Sequence, residues 1–289
     1  MKLLTACLRI LAQVTESAIS VTGLRKSYGG MKAVDRLDLT VQRGEVFALL
    51  GPNGAGKTTT VEILEGFRKR DEGKVQVLGV DPERGDAEWR QRIGIVLQGT
   101  GEFDELTVAE VVTHFARFYR NAADPTEVVE RVGLTEKAGS RTHTLSGGQK
   151  RRLDVALGIV NKPELLFLDE PTTGFDPAAR REFWEVIRQL ASAGTTILLT
   201  THYLEEAEEL ADRVGVINHG KLLEVSTPAL LGGRNTATAT VSWRDGSEET
   251  DRPTEVVQRL AAEFHGEVPD LTVTRPTLED VYLKMIGDA

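Results

Sequence analysis

The sequence predicts an α/β fold: a largely parallel sheet around a strand–glycine turn–helix unit, with an inserted helical subdomain and a small C-terminal α+β appendix. Three observations carry this expectation. Val46-Phe47-Ala48-Leu49-Leu50 is a continuous apolar run that meets a glycine-rich turn and then a helical stretch, and such a run suits a strand buried on both faces of a sheet. Residues 106–160 change character, with Val108, Val111, Val112, Phe115 and Phe118 recurring at helical spacing and little β-rich sequence between them. Beyond Gly232-Gly233, the alternation Ala237-Thr238-Ala239-Thr240-Val241 is that of a half-exposed strand.

The elements follow in order. Residues 17–23 and 37–42 read as strands bounded by Gly and Asp turns. A helix is expected from about Ala55 to Gly66, and Gly94-Ile95-Val96-Leu97 is strand-like. Leu165-Leu166-Phe167-Leu168 reads as a second buried strand and Thr196 to Thr200 as a third. Between them, residues 177–192 form a helix with Pro177 suited to its first turn. A Glu-rich helix is expected over 203–212, with Glu205, Glu206, Glu208 and Glu209 as its solvated face. Strands near 213–218 and 221–225 come next, then Gly232-Gly233 as a linker. A helix near 254–264, a strand near 271–275 and a last helix after Pro276 complete the chain. The division expected is a flexible leader over 1–16, a main domain over 17–232 with its helical subdomain at about 100–162, and the appendix over 233–289.

Composition narrows the classes of function. The chain has 289 residues, of which 40% are hydrophobic, enough for one large and one small domain. A formal net charge of −9 argues against broad nucleic-acid binding, which needs a basic surface. The single cysteine, Cys7, cannot form an internal disulfide and reads as small apolar filler. No run of about 18 apolar residues is present to cross a bilayer as a helix. Lys2 followed by Leu3, Leu4, Cys7, Leu8, Ile10 and Leu11 resembles a signal peptide, but Arg9 interrupts the apolar stretch.

Three motifs carry chemistry. Gly51-Pro52-Asn53-Gly54-Ala55-Gly56-Lys57-Thr58 fits the phosphate-binding pattern G-x-x-x-x-G-K-[ST], in the strand-to-helix context the pattern requires. Its glycines let backbone N–H groups turn inward as an anion cradle. The following helix adds its positive end, Lys57 reaches the β- and γ-phosphates of ATP, and the Thr58 hydroxyl can ligate Mg²⁺, with Thr59 beside it. About 110 residues further on, Leu165 to Leu168 ends in Asp169 and Glu170. Asp169 is suited to hold Mg²⁺ and Glu170 to polarise an attacking water. The third motif is Leu145-Ser146-Gly147-Gly148-Gln149, in which Ser146 is placed to cap a helix running to about Ile159.

That third motif matches the LSGGQ signature of ATP-binding cassette (ABC) proteins, and residues 17 to about 230 resemble that family's nucleotide-binding domain. The resemblance implies further roles. Tyr28 sits where the family's adenine-stacking aromatic sits, and Gln98 resembles the Q-loop glutamine, a Mg²⁺ and water ligand beside the membrane partner. His202 resembles the switch histidine that contacts the γ-phosphate, and Asp176 in Gly174-Phe175-Asp176-Pro177 resembles the D-loop aspartate, with Phe175 in place of the commoner leucine. It also implies a dimer, a homodimer in the simplest case, in which Ser146 and Gly148 of one subunit close over ATP held by Lys57 of the other. A separate transmembrane permease would insert a short helix near Gln98, against the segment Gly99 to Leu106, placing this chain at the cytoplasmic face of the cell membrane. Pro276-Thr277-Leu278-Glu279-Asp280-Val281-Tyr282 resembles the end of daunorubicin-resistance-type exporter subunits, or is a helix that caps the core and reads no ligand. A soluble cassette ATPase acting on ribosomes or DNA is the rival reading. Such proteins usually carry paired cassettes, zinc-binding cysteines or coiled coils, which this sequence lacks, and no nucleic-acid partner is expected.

Overall fold

The computed structural model describes residues 17–96 and 103–287. Strand β1 (Ser17–Tyr28) pairs antiparallel with β2 (Met31–Gln42) on one side and β4 (Glu72–Val77) on the other. Both hairpin strands outrun the lengths expected from sequence. Past Gly23 the pairing continues through register shifts, and the apolar alternation there gives way to charges that stay outside, Arg25 on Glu72 and Lys26 on Asp71 at 2.7 Å each.

The second sheet runs in the order β5 (Ile93–Val96), β6 (Leu165–Asp169), β7 (Thr196–Thr201), β3 (Val46–Leu50), β8 (Arg213–Asn218), β9 (Lys221–Ser226), all parallel except β9. Its central strands divide their side chains between two cores. Phe47, Leu49, Phe167 and Leu198 meet the antiparallel sheet and α1 (Lys57–Leu64). Val46, Ala48, Leu50, Leu166, Leu168 and Leu199 face the opposite side, where α3 (Val108–Ala116), α4 (Pro125–Arg131), α5 (Gly147–Ile159), α6 (Pro177–Ser192) and α7 (Leu204–Leu210) contribute. Period-two side chains on a strand with apolar layers on both sides require an unbroken apolar run, which is why β3 and β6 read as they do. The short α2 (Ala87–Arg90) carries Trp89 into the first of these cores.

Helix starts follow local chemistry. Thr107 and Glu110 form a reciprocal capping box on α3, Asp124 caps α4, and Asp176 caps α6 ahead of Pro177. Helix α6 spans 177–192, as its sequence predicts. Helix α5 lies tight against β5: a Cβ added to Gly94 would stand 2.0 Å from the Gly158 carbonyl oxygen, and one added to Gly158 would stand 2.6 Å from Val96.

After β9 the chain turns through Leu231–Gly233, where Leu231 is fully buried and Gly232, at φ 57°, lies under Val281. This is a packed bend, not a loose linker. The appendix consists of β10 (Ala239–Trp243), β11 (Gly246–Thr250) and β12 (Thr272–Thr274), in the order β11-β10-β12, covered by α8 (Pro253–Glu263). Val241, Val256, Leu260 and Val268 form its small core. Strand β11, Gly-Ser-Glu-Glu-Thr, lacks the apolar signal of a strand and is held by its ladder with β10. Helix α9 (Leu278–Gly287) then returns to the main body, burying Leu278 and Tyr282 in the helical-side core. The expected leader over 1–16 lies outside the described residues. Among those described, no helix is long and apolar enough to cross a membrane.

Candidate functional site

The glycine-rich loop joins the end of β3 to α1. A helix cannot begin at Ala55, because Gly56 stands at φ 106°, where a Cβ would also lie 2.3 Å from the Ala33 carbonyl oxygen. A Cβ on Gly51 would meet the Ile217 carbonyl oxygen at 2.4 Å. The loop is therefore wedged between β2 and β8, and Gly220 N–H donates to the Ala55 carbonyl at 2.9 Å. Asn53 and Gly54 stay open to solvent while Pro52 is half-buried. Lys57 is buried, and its Nζ donates to the carbonyls of Gly51 (2.7 Å) and Pro52 (3.3 Å). Burial lowers the lysine's pKa, opposed by the carboxylates of Glu170 and Asp169. Thr58 is exposed and Thr59 half-buried at the start of α1.

The ends of β6 and β7 bring the acids to this lysine. Asp169 and Thr200 are register partners, and the Thr200 hydroxyl donates to Asp169 Oδ1. Glu170 N–H in turn donates to Thr200 Oγ1 and to the Thr200 carbonyl, both at 3.1 Å. Glu170 itself adopts φ 42°, a left-handed conformation costly for a residue with a Cβ. That turn directs its carboxylate so that Oε1 lies 3.8 Å from Lys57 Nζ and 3.3 Å from His202 Nδ1. Lys57, the Asp169–Glu170 pair and His202, from three well-separated stretches of sequence, thus share one place.

Neighbours not anticipated from sequence support this cluster. The Arg151 guanidinium, buried on α5, donates to the main-chain oxygens of Asp169 (2.7 Å) and Pro171 (3.0 Å). Glu65, at the end of α1, is pushed up to about 8 by burial and by the charges of Asp169 and Glu62. Neither belongs to a local pattern, so no sequence signal marks them.

The remaining expected residues stand apart. Ser146 caps α5, accepting from Gln149 N–H at 3.3 Å while Gln149 Oε1 accepts from Ser146 N–H at 3.0 Å. Ser146 and Gly147 are exposed and Gly148 abuts Ala179 of α6. Among the described residues, no hydrogen bond or ion pair joins this helix tip to the Lys57 loop. The Asp176 carboxylate is used as the α6 cap, accepting from Ala178 and Ala179 N–H at 2.9 Å each. Tyr28, exposed at the β1–β2 turn, has the Arg68 guanidinium 5.3 Å and Lys26 Nζ 5.5 Å from its ring centre. Gln98 lies outside the described residues. No group of three or more His, Cys, Asp or Glu poised around a metal occurs among those described. One hydroxyl (Thr58) and one carboxylate (Asp169) form a sparse oxygen set, of the kind Mg²⁺ takes when substrate phosphates and water complete its shell.

Comparison with known proteins agrees with this geometry. A family model described as "ABC transporter" matches residues 34–173. The daunorubicin resistance ATP-binding protein DrrA3 of Streptomyces coeruleorubidus is 38% identical, over 95% of this chain and 98% of its own. The Nod factor export ATP-binding protein I of Bradyrhizobium diazoefficiens is also 38% identical, over 95% of this chain and 98% of its own. In structure the chain is similar to cbiO1 from Clostridium perfringens, part of the ABC transporter complex cbiONQ, with a TM-score of 0.68 and 26% identity over 86% of this chain and 96% of that one. Identity of this level, running almost the whole length of both chains, shows that the chain belongs to the ABC transporter family, as an ATP-binding and ATP-hydrolysing subunit.

Proposed function

We propose that this subunit powers the export of drugs, antibiotics or other amphiphilic molecules, acting as a homodimer at the cytoplasmic face of the cell membrane on a separate transmembrane permease. Full-length similarity to a daunorubicin resistance protein and a Nod factor export protein supports the export direction. The solvent-facing cap of α5 supports dimerisation. Gly147 and Gly148 offer helix-end N–H groups, and Ser146 its hydroxyl, to an anion, with no hydrogen bond or ion pair among the described residues tying this tip to their own chain's Lys57 loop. A second copy would supply the missing half, and Asp176, Gln149 and Gly148 would lie at that seam. A groove of about 600 Å³ between the sheet and the helical subdomain, lined by Glu65, Phe67, Ile95, Phe115, Tyr119 and Gly158, supports docking of a permease segment.

In the proposed chemistry Lys57 turns from the carbonyls of Gly51 and Pro52 to the β- and γ-phosphates, while the N–H groups of 53–59 cradle them. Thr58, Asp169 and Gln98 would hold Mg²⁺, which would supply positive charge against that of the phosphates. Glu170 accepts a hydrogen bond from the attacking water and aligns it with the γ-phosphate, ADP departs as the leaving group, and His202 steadies both Glu170 and the γ-phosphate. Tyr28 would take the adenine by stacking, exchanging its contacts with Arg68 and Lys26 for the base.

The observation that carries this reading is the convergence of Lys57 Nζ and His202 Nδ1 on one oxygen of Glu170. The test is Glu170→Gln. ATP affinity should hold while turnover falls by roughly a hundredfold or more, as loss of a general base predicts, and the ATP-loaded protein should elute as a dimer. Wild-type turnover would sink the role given to Glu170. A strictly monomeric ATP-loaded Glu170→Gln protein would sink the dimer.

A further inference from the structure

Glu206 was expected on a solvated helix face; it is instead fully enclosed in the first turn of α7, with 0% of its surface exposed. A carboxyl enters a protein interior at a cost unless donors meet it. The donors around this one come from separate segments. Thr172 lies two residues beyond Glu170, Thr201 immediately precedes His202, and Trp184 sits two turns into α6, the helix capped by Asp176. The hydroxyls of Thr172 and Thr201 and the indole N–H of Trp184 are turned on the carboxyl, with the Arg180 guanidinium near them. They surround it without closing on it: both Glu206 oxygens, Thr172 Oγ1, Trp184 Nε1 and Arg180 Nε are buried and lack a partner in hydrogen-bond geometry. An apolar side chain would fill this space at lower cost. What it could not do is present two acceptor oxygens to donors on several segments.

We propose that Glu206 is a positioning residue that keeps the Glu170 turn, the His202 strand end and the Asp176 helix in one register. The inference rests on the roles given above to Glu170 and His202. Glu170 holds a left-handed φ of 42°, and such a conformation persists only where its surroundings over-determine it. On one side the turn is fixed to Thr200. On the other, Arg151 holds the Pro171 carbonyl, and Thr172 just beyond it is fully buried with its side chain facing Glu206. Through Thr201 the same carboxyl reaches the residue before His202. Its loss would let the 3.3 Å spacing between Glu170 and His202 open while leaving the Lys57 loop intact. Burial pushes the carboxyl's pKa up, against the pull of the three donors and Arg180. Glutamine, which keeps the shape and one acceptor oxygen, is therefore the conservative variant.

The test measures hydrolysis against ATP concentration in the full-length chain carrying Glu206→Ala, Glu206→Gln, Thr172→Val or Trp184→Phe, with Glu170→Gln alongside. Glu206→Ala should lower kcat about tenfold or more with KM for ATP within about twofold, because only the reacting geometry is disturbed. Glu206→Gln should return kcat to within about threefold of wild type, and each donor variant should lower kcat several-fold at unchanged KM. The inference is overturned if Glu206→Ala turns over at the wild-type rate, if glutamine restores nothing, or if kcat and KM deteriorate together. Should Glu206→Ala fail to fold, Thr172→Val and Trp184→Phe decide: wild-type kcat in both overturns it. Wild-type kcat across the Glu206 series beside an inactive Glu170→Gln overturns this inference alone. An active Glu170→Gln overturns the reading of the site beneath it.

Discussion

Replacing Gly94 with alanine asks how firmly the signature helix is seated. The added Cβ would stand 2.0 Å from the Gly158 carbonyl oxygen and 2.8 Å from Leu166 Cδ1. Leu166 can rotate away, but the carbonyl belongs to the backbone of α5. Real Cβ atoms essentially never approach closer than 3.0 Å, so α5 must retreat by at least about 1 Å. That retreat strips contact from Leu153, Val155, Ala156 and Ile159, all buried on the same helix. Gaps of this size forfeit roughly a quarter to a half of each contact's dispersion energy. With an overpacking strain of about 1–3 kcal/mol, the total comes to about 2–4 kcal/mol. In a chain of this length, whose unfolding entropy is about 0.6 kcal/mol/K, that lowers Tm by roughly 3–7 °C. Scanning fluorimetry reads the shift directly, with Gly139→Ala as control, since a Cβ there meets nothing within 4 Å. Because α5 begins at Ser146 and also carries Arg151, which grips the Asp169 and Pro171 main chain, hydrolysis should fall further than nucleotide affinity. A Gly94→Ala protein melting within about 1 °C of wild type would refute the close-packing account.

Three other outcomes are expected. Gly56→Ala should cost at least about tenfold in ATP affinity by fluorescent-nucleotide titration, because φ 106° and the Ala33 carbonyl at 2.3 Å leave no room for a methyl group; unchanged affinity would remove the loop from the site. Ser146→Ala should lose about 1 kcal/mol in urea unfolding through the broken capping box and should abolish ATP-dependent dimerisation by light scattering; a dimer of wild-type strength would contradict the seam. Glu65 gives a pH signature. Its carboxyl is held up to about 8 against an ordinary 4.5. Between those values the unfolded chain ionises the group while the folded chain keeps its proton, so stability drains away as pH rises. Glu65→Gln should therefore match wild type in urea midpoint below pH 4.5 and exceed it progressively toward pH 8; a constant offset at all pH values would rule this out.

What could be read from sequence is what local rules govern. Asp169 ends a buried strand, Ser146 caps a helix and Lys57 opens the helix after a glycine turn that follows a buried strand, and each such boundary is set by a handful of adjacent residues. Helix 177–192 was legible because Asp176 and Pro177 announce its start. The failures are non-local. Glu206 was grouped with its acidic neighbours, yet Glu206, Ala207 and Leu210 share the buried face of α7, an i, i+4 relation that charge counting overrides. Glu65 and Arg151 gain their meaning only from the strand end they meet. Strand β11 exists because β10 pairs with it, and the Gly94–Gly158 approach joins residues 64 positions apart.

The bend at Leu231 and the return of α9 bear on how the appendix is attached. Arg234 Nε donates to the Pro276 carbonyl at 3.1 Å, so the chain leaves the main body and re-enters it at nearly one spot. The sheet and helix between form a pendant whose neck Arg275 also ties, donating to the Ala237 carbonyl at 3.0 Å, while the helix after it is part of the body's own lining. By this geometry, replacing the pendant with a short glycine bridge is expected to leave the main body folded, whereas trimming the final helix would expose that body's interior.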